Sequence, residues 1–315
     1  MLWRHVIRRS ALGVFTLFLI SLIIFFATNV LPGDAARAIL GRSATPEAVA
    51  MLKSQLGMDR PLSVQYLAWM GGILHLDMGM SFISRGPVWD IVAPRLMNTL
   101  LLLAATSLVA LPVSFVIGTV MAIKPGRLFD NAMNGFLIGT AGIPEFVIAI
   151  ILVLLLSTQV FHLLPSTALV PPGQSVLENP QVLVLPVLTL TFAVMPYLGR
   201  LIRASLMDAL ASEYVVTARL KGLSPRVVLL RHAMRNSLVP SIQAAALTLA
   251  YILGGAVVVE FIFQYPGLGS ALQSAVAQRD VFVIQAIVLI FAFGYIAFNM
   301  VADILTILMT PRLRS

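Results

Sequence analysis

Thirteen carboxylates and four histidines are the side chains of this 315-residue chain best suited to moving a proton or holding a cation. Glu145, in Ile143-Pro144-Glu145-Phe146, stands out because it interrupts an otherwise charge-free run from Asn131 to about Val160. An ionisable group in such surroundings is costly and therefore functional by default. It can line a pathway and meet an amine or cation, or it can reach a helix end or pair with a residue of a partner; both readings stay open. Glu260 follows a long apolar run and suits a structural hydrogen-bonding role beside Pro266-Gly267-Leu268-Gly269, while Asp303 suits a paired or interfacial acid. His5, His75, His162 and His232 are scattered, with no H-E-x-x-H pair to grip a metal. No Ser-His-Asp arrangement is defensible, there is no cysteine, and the 14 methionines read as packing filler. We therefore expect no catalytic residue and no protein-bound metal. A G-x-x-x-x-G-K-[ST] phosphate loop is also missing, so this chain does not hydrolyse ATP by that route.

The elements that must position these groups are dictated by hydropathy. Hydrophobic residues make up 59% of the chain and charged ones 11%, against about 25% charged in a soluble domain. Charge-free intervals run from Ser10 to Gly33, Leu96 to Ile123, Asn179 to Gly199, Asn236 to Val259 and Val281 to Ala302. With the run holding Glu145 they make six spans of membrane length. The runs are uniformly apolar rather than alternating, so they are helices, not barrel strands. The fold class expected is all-α and polytopic. The first run is long for a signal-peptide core and no A-x-A site follows, so we expect an uncleaved first span within 1–31. The others are expected at about 98–123, 131–160, 181–204, 237–262 and 281–308, with Pro112, Pro144, Pro186 and Pro196 as kinks and 311–315 as a tail.

An even number of spans puts both termini on one side. Fourteen of the 21 Arg and Lys then share that side, in the N-terminus, the turn at Lys124 and Arg127, the loop from Arg200 to Arg235 and the C-terminus. The positive-inside rule makes it the cytoplasmic one. The net charge of +8 needs no nucleic acid to explain it. The opposite side carries a long segment, 32–97. There, Thr45-Pro46-Glu47 reads as a cap, a proline and a first-turn acid opening a helix at about 46–56, with Gly57 as its stop. A second, amphipathic helix is predicted over Leu62–Leu74, with Tyr66 and Trp69 suited to the membrane interface. The proline-rich 161–180 (Pro165, Pro171, Pro172, Pro180) should be irregular.

The most regular basic stretch is EYVVTARLKGLSPRVVLLRHAMRN, residues 213–236, inside the loop 205–236. Five cations at about 2.5–3.5 kcal/mol each keep it out of lipid. Ser212 can cap a helix that opens with Glu213, Arg219 and Lys221 favour its other end, and Gly222 suits a left-handed stop. Ser224 and Pro225 restart the chain for a second helix to about Asn236, and Pro240 opens the next span. The result is a rigid helix–glycine–helix elbow, more than setting topology requires.

Its residues carry a resemblance. Glu213-Tyr214-x-x-Thr217-Ala218-Arg219-x-Lys221-Gly222-Leu223, then Arg231-His232-Ala233-x-Arg235-Asn236 and Pro240, resemble the cytoplasmic coupling loop of ABC importer permeases of the dipeptide/oligopeptide/nickel family. The likeness extends over almost the whole chain. It includes Pro32-Gly33-Asp34, Leu56-Gly57-x-Asp59-Arg60-Pro61-Leu62 with Tyr66, and Asp77-x-Gly79-x-Ser81. Glu260, Phe263, Pro266-Gly267-Leu268-Gly269, Arg279-Asp280, Asn299, Asp303 and Pro311-Arg312 continue it. Three positions depart from the pattern. The wider superfamily's acidic-Ala-Ala triplet reads Val216-Thr217-Ala218, with the acid at Glu213 as is usual in the peptide branch. Leu76 replaces a common glycine, and Glu145 a normally uncharged residue.

The resemblance implies a non-catalytic inner-membrane permease that contributes half of a pathway, beside a paralogous six-span permease. Two ABC ATPases holding ATP and Mg, and an extracytoplasmic substrate-binding protein, complete the assembly. It implies an ATPase-coupling set in Glu213, Thr217, Ala218, Arg219, Lys221, Gly222, Leu223, Ser224, Pro225 and Arg226, and an outer structural turn at Glu260, Pro266, Gly267 and Gly269. Di- or oligopeptides are the expected substrate; nickel complexes, glutathione or another small solute are alternatives. An ion-coupled secondary transporter would instead show inverted repeats and several midplane charges. No repeat is visible, and only Glu145 lies deep in a span.

Overall fold

The computed structural model describes residues 2–30, 45–55, 59–171 and 175–309. Outside them lie Pro32-Gly33-Asp34, Leu56-Gly57 with the expected helix stop, Pro172, and the tail with Pro311-Arg312.

Among the described residues the chain is helical, apart from turns and one isolated bridge between Met80 and Pro87. The helices are α1 (Leu2–Val30), α2 (Pro46–Gln55), α3 (Leu62–Leu74), α4 (Val88–Ile123), α5 (Leu128–Ala141) and α6 (Glu145–Val153). There follow α7 (Gln181–Ala211), α8 (Glu213–Leu220), α9 (Pro225–Val227), α10 (Met234–Ile262), α11 (Leu268–Gln278) and α12 (Val281–Met309). Five are long and apolar enough to cross a membrane, six if the bent pair α5–α6 counts as one span. The polytopic all-α class is thus as the sequence predicts.

Two compact units share the chain. One holds Ala11–Thr99 and Pro266–Gly294. Here α2 opens as expected, with the Ala48 amide donating to Thr45 Oγ1 at 3.3 Å. Helix α3 has the predicted ends, but Tyr66 and Trp69 are not interface anchors. They are buried against Phe25 of α1, with ring centroids 5.3 and 5.6 Å away, and the Tyr66 hydroxyl meets Ser21 Oγ at 2.8 Å. An aromatic with a polar handle buries well where the handle finds a partner. Val88, Val92, Leu268, Ala271, Ile284 and Ile287 form this unit's main apolar core. Helix α11 is an addition to the elements predicted. Gly267 flanks its start and Arg279 its end, the latter with a left-handed φ of +58°.

The other unit holds Met1–Ser10, Leu100–Tyr265 and Tyr295–Ser315. In it Arg9 Nε lies 3.0 Å from Asp303 Oδ2, the pairing expected of that acid. A Cβ on Gly118 would stand 2.6 Å from the Gly199 carbonyl oxygen, so α4 and α7 cross in near-backbone contact. Helix α4 starts at Val88, ten residues before the expected 98, because Asp90 and Arg95 are accommodated in its first turns; Arg95 Nη1 folds back onto the Ile91 carbonyl at 3.1 Å.

Two boundary readings are corrected in this unit. The expected single span 131–160 is two helices bent by 109°. Gly142-Ile143-Pro144 explains the break: proline has no amide to donate and disfavours helical backbone in the residue before it. Of the four prolines expected to kink spans, Pro144 sits at the break, while Pro112, Pro186 and Pro196 lie inside continuous helices. Helix α7 runs to Ala211, beyond the expected 204, so Arg200 and Arg203 belong to a helix rather than a loop. Pro240 opens the membrane-length stretch Pro240–Ile262, as expected, although the helix around it, α10, already starts at Met234. As expected, 161–180 is irregular where described, save a 3₁₀ turn at Val176–Glu178 closed by a capping box from Ser175 and Glu178.

Candidate functional site

The elbow is built as its residue types demand. Ser212 takes extended backbone at the start of α8, although its hydroxyl donates back to the Ala209 carbonyl instead of capping the next turn. Thr217 Oγ1 donates to the Glu213 carbonyl at 3.0 Å. At the other end, Gly222 has φ +77°, which side-chain-bearing residues rarely adopt. The Gly222 amide donates to the Arg219 carbonyl at 2.9 Å and the Leu223 amide to the Ala218 carbonyl at 3.3 Å. This double bond pattern closes a helix C-terminus and satisfies its last carbonyls. A Cβ on Gly222 would meet nothing within 4 Å, so backbone conformation, not crowding, selects glycine.

Beyond Gly222, Ser224 is extended and Pro225 is the first residue of α9. The chain then winds through a π-helical segment, Val228–Ala233, directly into α10. The second arm of the elbow is therefore one continuous rod with the fifth span, not a separate helix ending near Asn236. Its apolar residues divide into two sets. Val215 and Ala218 of α8 are buried with Leu206 and Ala209 of α7, Ala122 of α4, and Val228 and Ala233. Tyr214, Val216, Leu220 and Leu223 face outward, Leu220 with 83% of its surface exposed. Glu213, Arg219, Lys221 and Arg226 are exposed around them. The coupling set expected from sequence does not include Leu220.

Glu145 does not sit within an unbroken helix. It is the first residue of α6, just after the break, where the helix dipole favours a negative charge. The Tyr251 hydroxyl of α10 donates to Glu145 Oε2 at 3.5 Å, a long contact. Gly255, one turn further on, has space that a Cβ would fill to within 3.5 Å of Glu145 Oε1.

Near this contact lies a half-open cavity of about 470 Å³, walled by α7 and α10 with Ala141 from the end of α5. Its polar lining comes from Tyr197, Arg200, Thr248 and Tyr251. Arg203, one turn beyond Arg200, is differently engaged. Its Nε and Nη2 donate to both oxygens of Asp130 at 2.6 and 2.8 Å, and Asp130 also accepts from the Gly126 amide at 2.8 Å. With Asp130 only 2% exposed, this two-pronged pair ties α5 to α7. Neither partner stands out in the sequence.

The outer-turn residues divide between the two units. Glu260 and Tyr265 are fully buried, and the Tyr265 amide donates to the Glu260 carbonyl at 2.8 Å. Burial, and then the charge of Glu260, push the Tyr265 phenol well above its usual range, so it stays protonated. In the other unit, the Pro266 carbonyl accepts from Asn98 Nδ2 at 2.9 Å, Gly267 flanks the start of α11, and the Leu268 amide donates to Thr99 Oγ1 at 2.9 Å. Gly269 is buried in the first turn of α11.

Among the described residues, no group of three or more His, Cys, Asp or Glu side chains is placed to hold a metal ion. Long apolar helices, a capped basic elbow and a polar-lined cavity describe a multi-pass membrane protein. Residues 114–315 match the family described as binding-protein-dependent transport system inner membrane component, and residues 1–103 match its N-terminal family. The chain belongs to this family: it is a non-catalytic permease subunit of an ABC transporter, a multi-pass protein of the inner membrane. Membership places it in a membrane-embedded complex with ATPase and binding-protein partners. It is 34% identical over 310 residues, 98% of each chain, to the glutathione transport system permease protein GsiC of Escherichia coli (strain K12). It is 33% identical over 309 residues, again 98% of each chain, to a putative peptide transport system permease protein of Brucella abortus (strain 2308).

Proposed function

We propose that this chain is one of two unlike permease halves of an ATP-driven importer that takes up short peptides or glutathione. The relatives named for glutathione and peptide transport support the substrate class, and the missing phosphate loop agrees with ATP and Mg being held by two partner ATPases. The one-sided distribution of Arg and Lys supports cytoplasmic termini and a cytoplasmic elbow.

The observation that carries the reading is the continuity of the elbow with α10 through the π segment, together with the turn closed at Gly222. A docked ATPase that moves α8 moves a stiff rod, not a slack loop. Gly222, Leu223, Ser224 and Pro225 fix the angle between the arms. Ala218 anchors the short helix to its own chain, and Thr217 ties its hydroxyl to the helix backbone. Glu213, Arg219, Lys221 and Arg226 set register on the ATPase; exposed pairs of this kind are worth little each, so the apolar contacts carry most of the docking energy. Glu145, beside Tyr251, lines the solute pathway. Glu260, Pro266, Gly267 and Gly269 are structural residues of the outer connection.

Purification in mild detergent tests this assembly. The expected result is co-purification with a second six-span permease and two P-loop ATPases, and ATP-dependent uptake of dipeptide or glutathione once the binding protein is added. Transport by the purified chain alone would overturn it and favour an ion-coupled carrier.

A further inference from the structure

Arg200 is the first charge after the apolar run Asn179–Gly199, yet it sits inside α7, eleven residues before the helix ends. Its neighbour Arg203 has a dedicated buried carboxylate in Asp130. Among the described residues no carboxylate is recorded within ion-pair distance of Arg200, which instead faces the 470 Å³ cavity together with two phenols and Thr248. Thr248 Oγ1 is committed to the Ala244 carbonyl and the Tyr251 hydroxyl makes a long contact with Glu145, which leaves Arg200 and Tyr197 as the groups open to a solute, with Tyr251 beside them. The cavity therefore carries an exposed cation in its wall and a carboxylate in contact with one of its phenols. A guanidinium offers a planar, two-pronged donor set that matches a carboxylate.

We propose that this cavity is a resting site for the travelling solute, in which Arg200 takes a carboxylate of a short zwitterionic peptide and the peptide's ammonium end lies toward Tyr251 and Glu145. The site would hold the solute on the inner part of its route, at the charged end of the α7 apolar stretch. This deepens the permease reading and rests on it for the direction of travel; the binding chemistry stands on the cavity alone.

The absence of native cysteine in this chain allows a direct test. Leu247→Cys places one thiol in the cavity wall. The full complex, in phosphatidylcholine vesicles, is labelled with a sulfonate-bearing methanethiosulfonate and separately with its trimethylammonium analogue, and label is read on this chain. The anionic reagent should react faster, with the rate ratio falling about tenfold on Arg200→Gln and largely kept by Arg200→Lys, since a lined cleft concentrates the opposite charge. Triglycine should slow labelling and triglycinamide should not. An unchanged ratio in Arg200→Gln, equal protection by both peptides, or no labelling of the Leu247→Cys variant by either reagent would each overturn the proposal. Protection by added phosphatidylglycerol with none from triglycine would assign the site to a lipid headgroup and overturn it equally. Labelling needs neither ATP nor a working elbow. Failure of the importer reading would show separately, as a wild-type complex that imports no peptide.

Discussion

Two of the breaks between helices in the unit that holds the elbow are made by opposite means. At Lys221-Gly222-Leu223 the chain turns by entering the left-handed region, with φ +77° at Gly222 and two amide–carbonyl bonds closing the end of α8. At Gly142-Ile143-Pro144 it bends by 109° without any positive φ: Gly142 is right-handed at φ −89°, and the stop comes from proline. The first break depends on a residue without a side chain. The second depends on a residue without an amide. The elbow is therefore fragile to substitution at its glycine, and the bend is not.

The largest expected effect follows directly. A left-handed backbone costs an ordinary residue on the order of 1–2 kcal/mol, and β-branched residues are worse still. Gly222→Val should lower uptake below about a tenth of wild type while membrane insertion and subunit assembly persist, because the strain redirects the arms rather than unfolding the spans. Gly222→Asn should keep most of the activity, since asparagine visits this conformation more readily. Uptake assays on the two variants at matched membrane abundance check this. Normal uptake by a properly inserted Gly222→Val protein sinks the lever reading.

The difference between the breaks also shows what the residues alone can disclose. Gly222 is legible because caps, a glycine and Ser-Pro follow one another in a short exposed segment where local rules decide. The same holds for α3, whose ends are those predicted, and for the start of α2 at Pro46. The bend at Pro144 is not legible as a break, because membrane helices tolerate proline whenever neighbours satisfy the freed carbonyls. Pro186, Pro196 and Pro240 lie within unbroken helices and bear this out. Only packing against α7 and α10 separates the cases, and packing is not written in a local window. Arg200 and Arg203 read as loop cations for the same reason: a charge ends an apolar count but need not end a helix. The tie of Asp130 to Arg203 spans 73 positions in sequence, beyond any local signal.

A middling effect distinguishes docking by apolar contact from docking by charge. Leu220 is 83% exposed beside the glycine, whereas Val215 and Ala218 on the same helix are buried within the chain. An exposed apolar side chain that fills a partner's pocket is worth roughly 1–2 kcal/mol. Leu220→Asp should therefore cut binding-protein-stimulated ATP hydrolysis by about five- to twentyfold and weaken co-purification with the ATPases. Arg226→Gln, which removes one exposed cation, should change it less than twofold at physiological salt. If the order is reversed, charge rather than apolar burial holds the elbow in its partner.

The smallest effect is the sharpest test of the contrast. A Cβ on Gly142 would meet nothing within 4 Å, and its φ of −89° is open to any residue. Gly142→Ala should therefore leave uptake within about twofold of wild type. Restricting the unfolded chain should add at most roughly 0.4–1 kcal/mol, so the melting temperature in detergent should hold or rise slightly. Gly222 also has free space around its Cβ position, so crowding cannot distinguish the two sites. The same alanine substitution at both glycines isolates backbone conformation as the single variable. Loss at Gly222 with none at Gly142 means that the elbow is held by its left-handed residue and the bend by its proline. Equal losses mean that both glycines serve as hinges that must move during transport, a role that neither static geometry nor side-chain space requires.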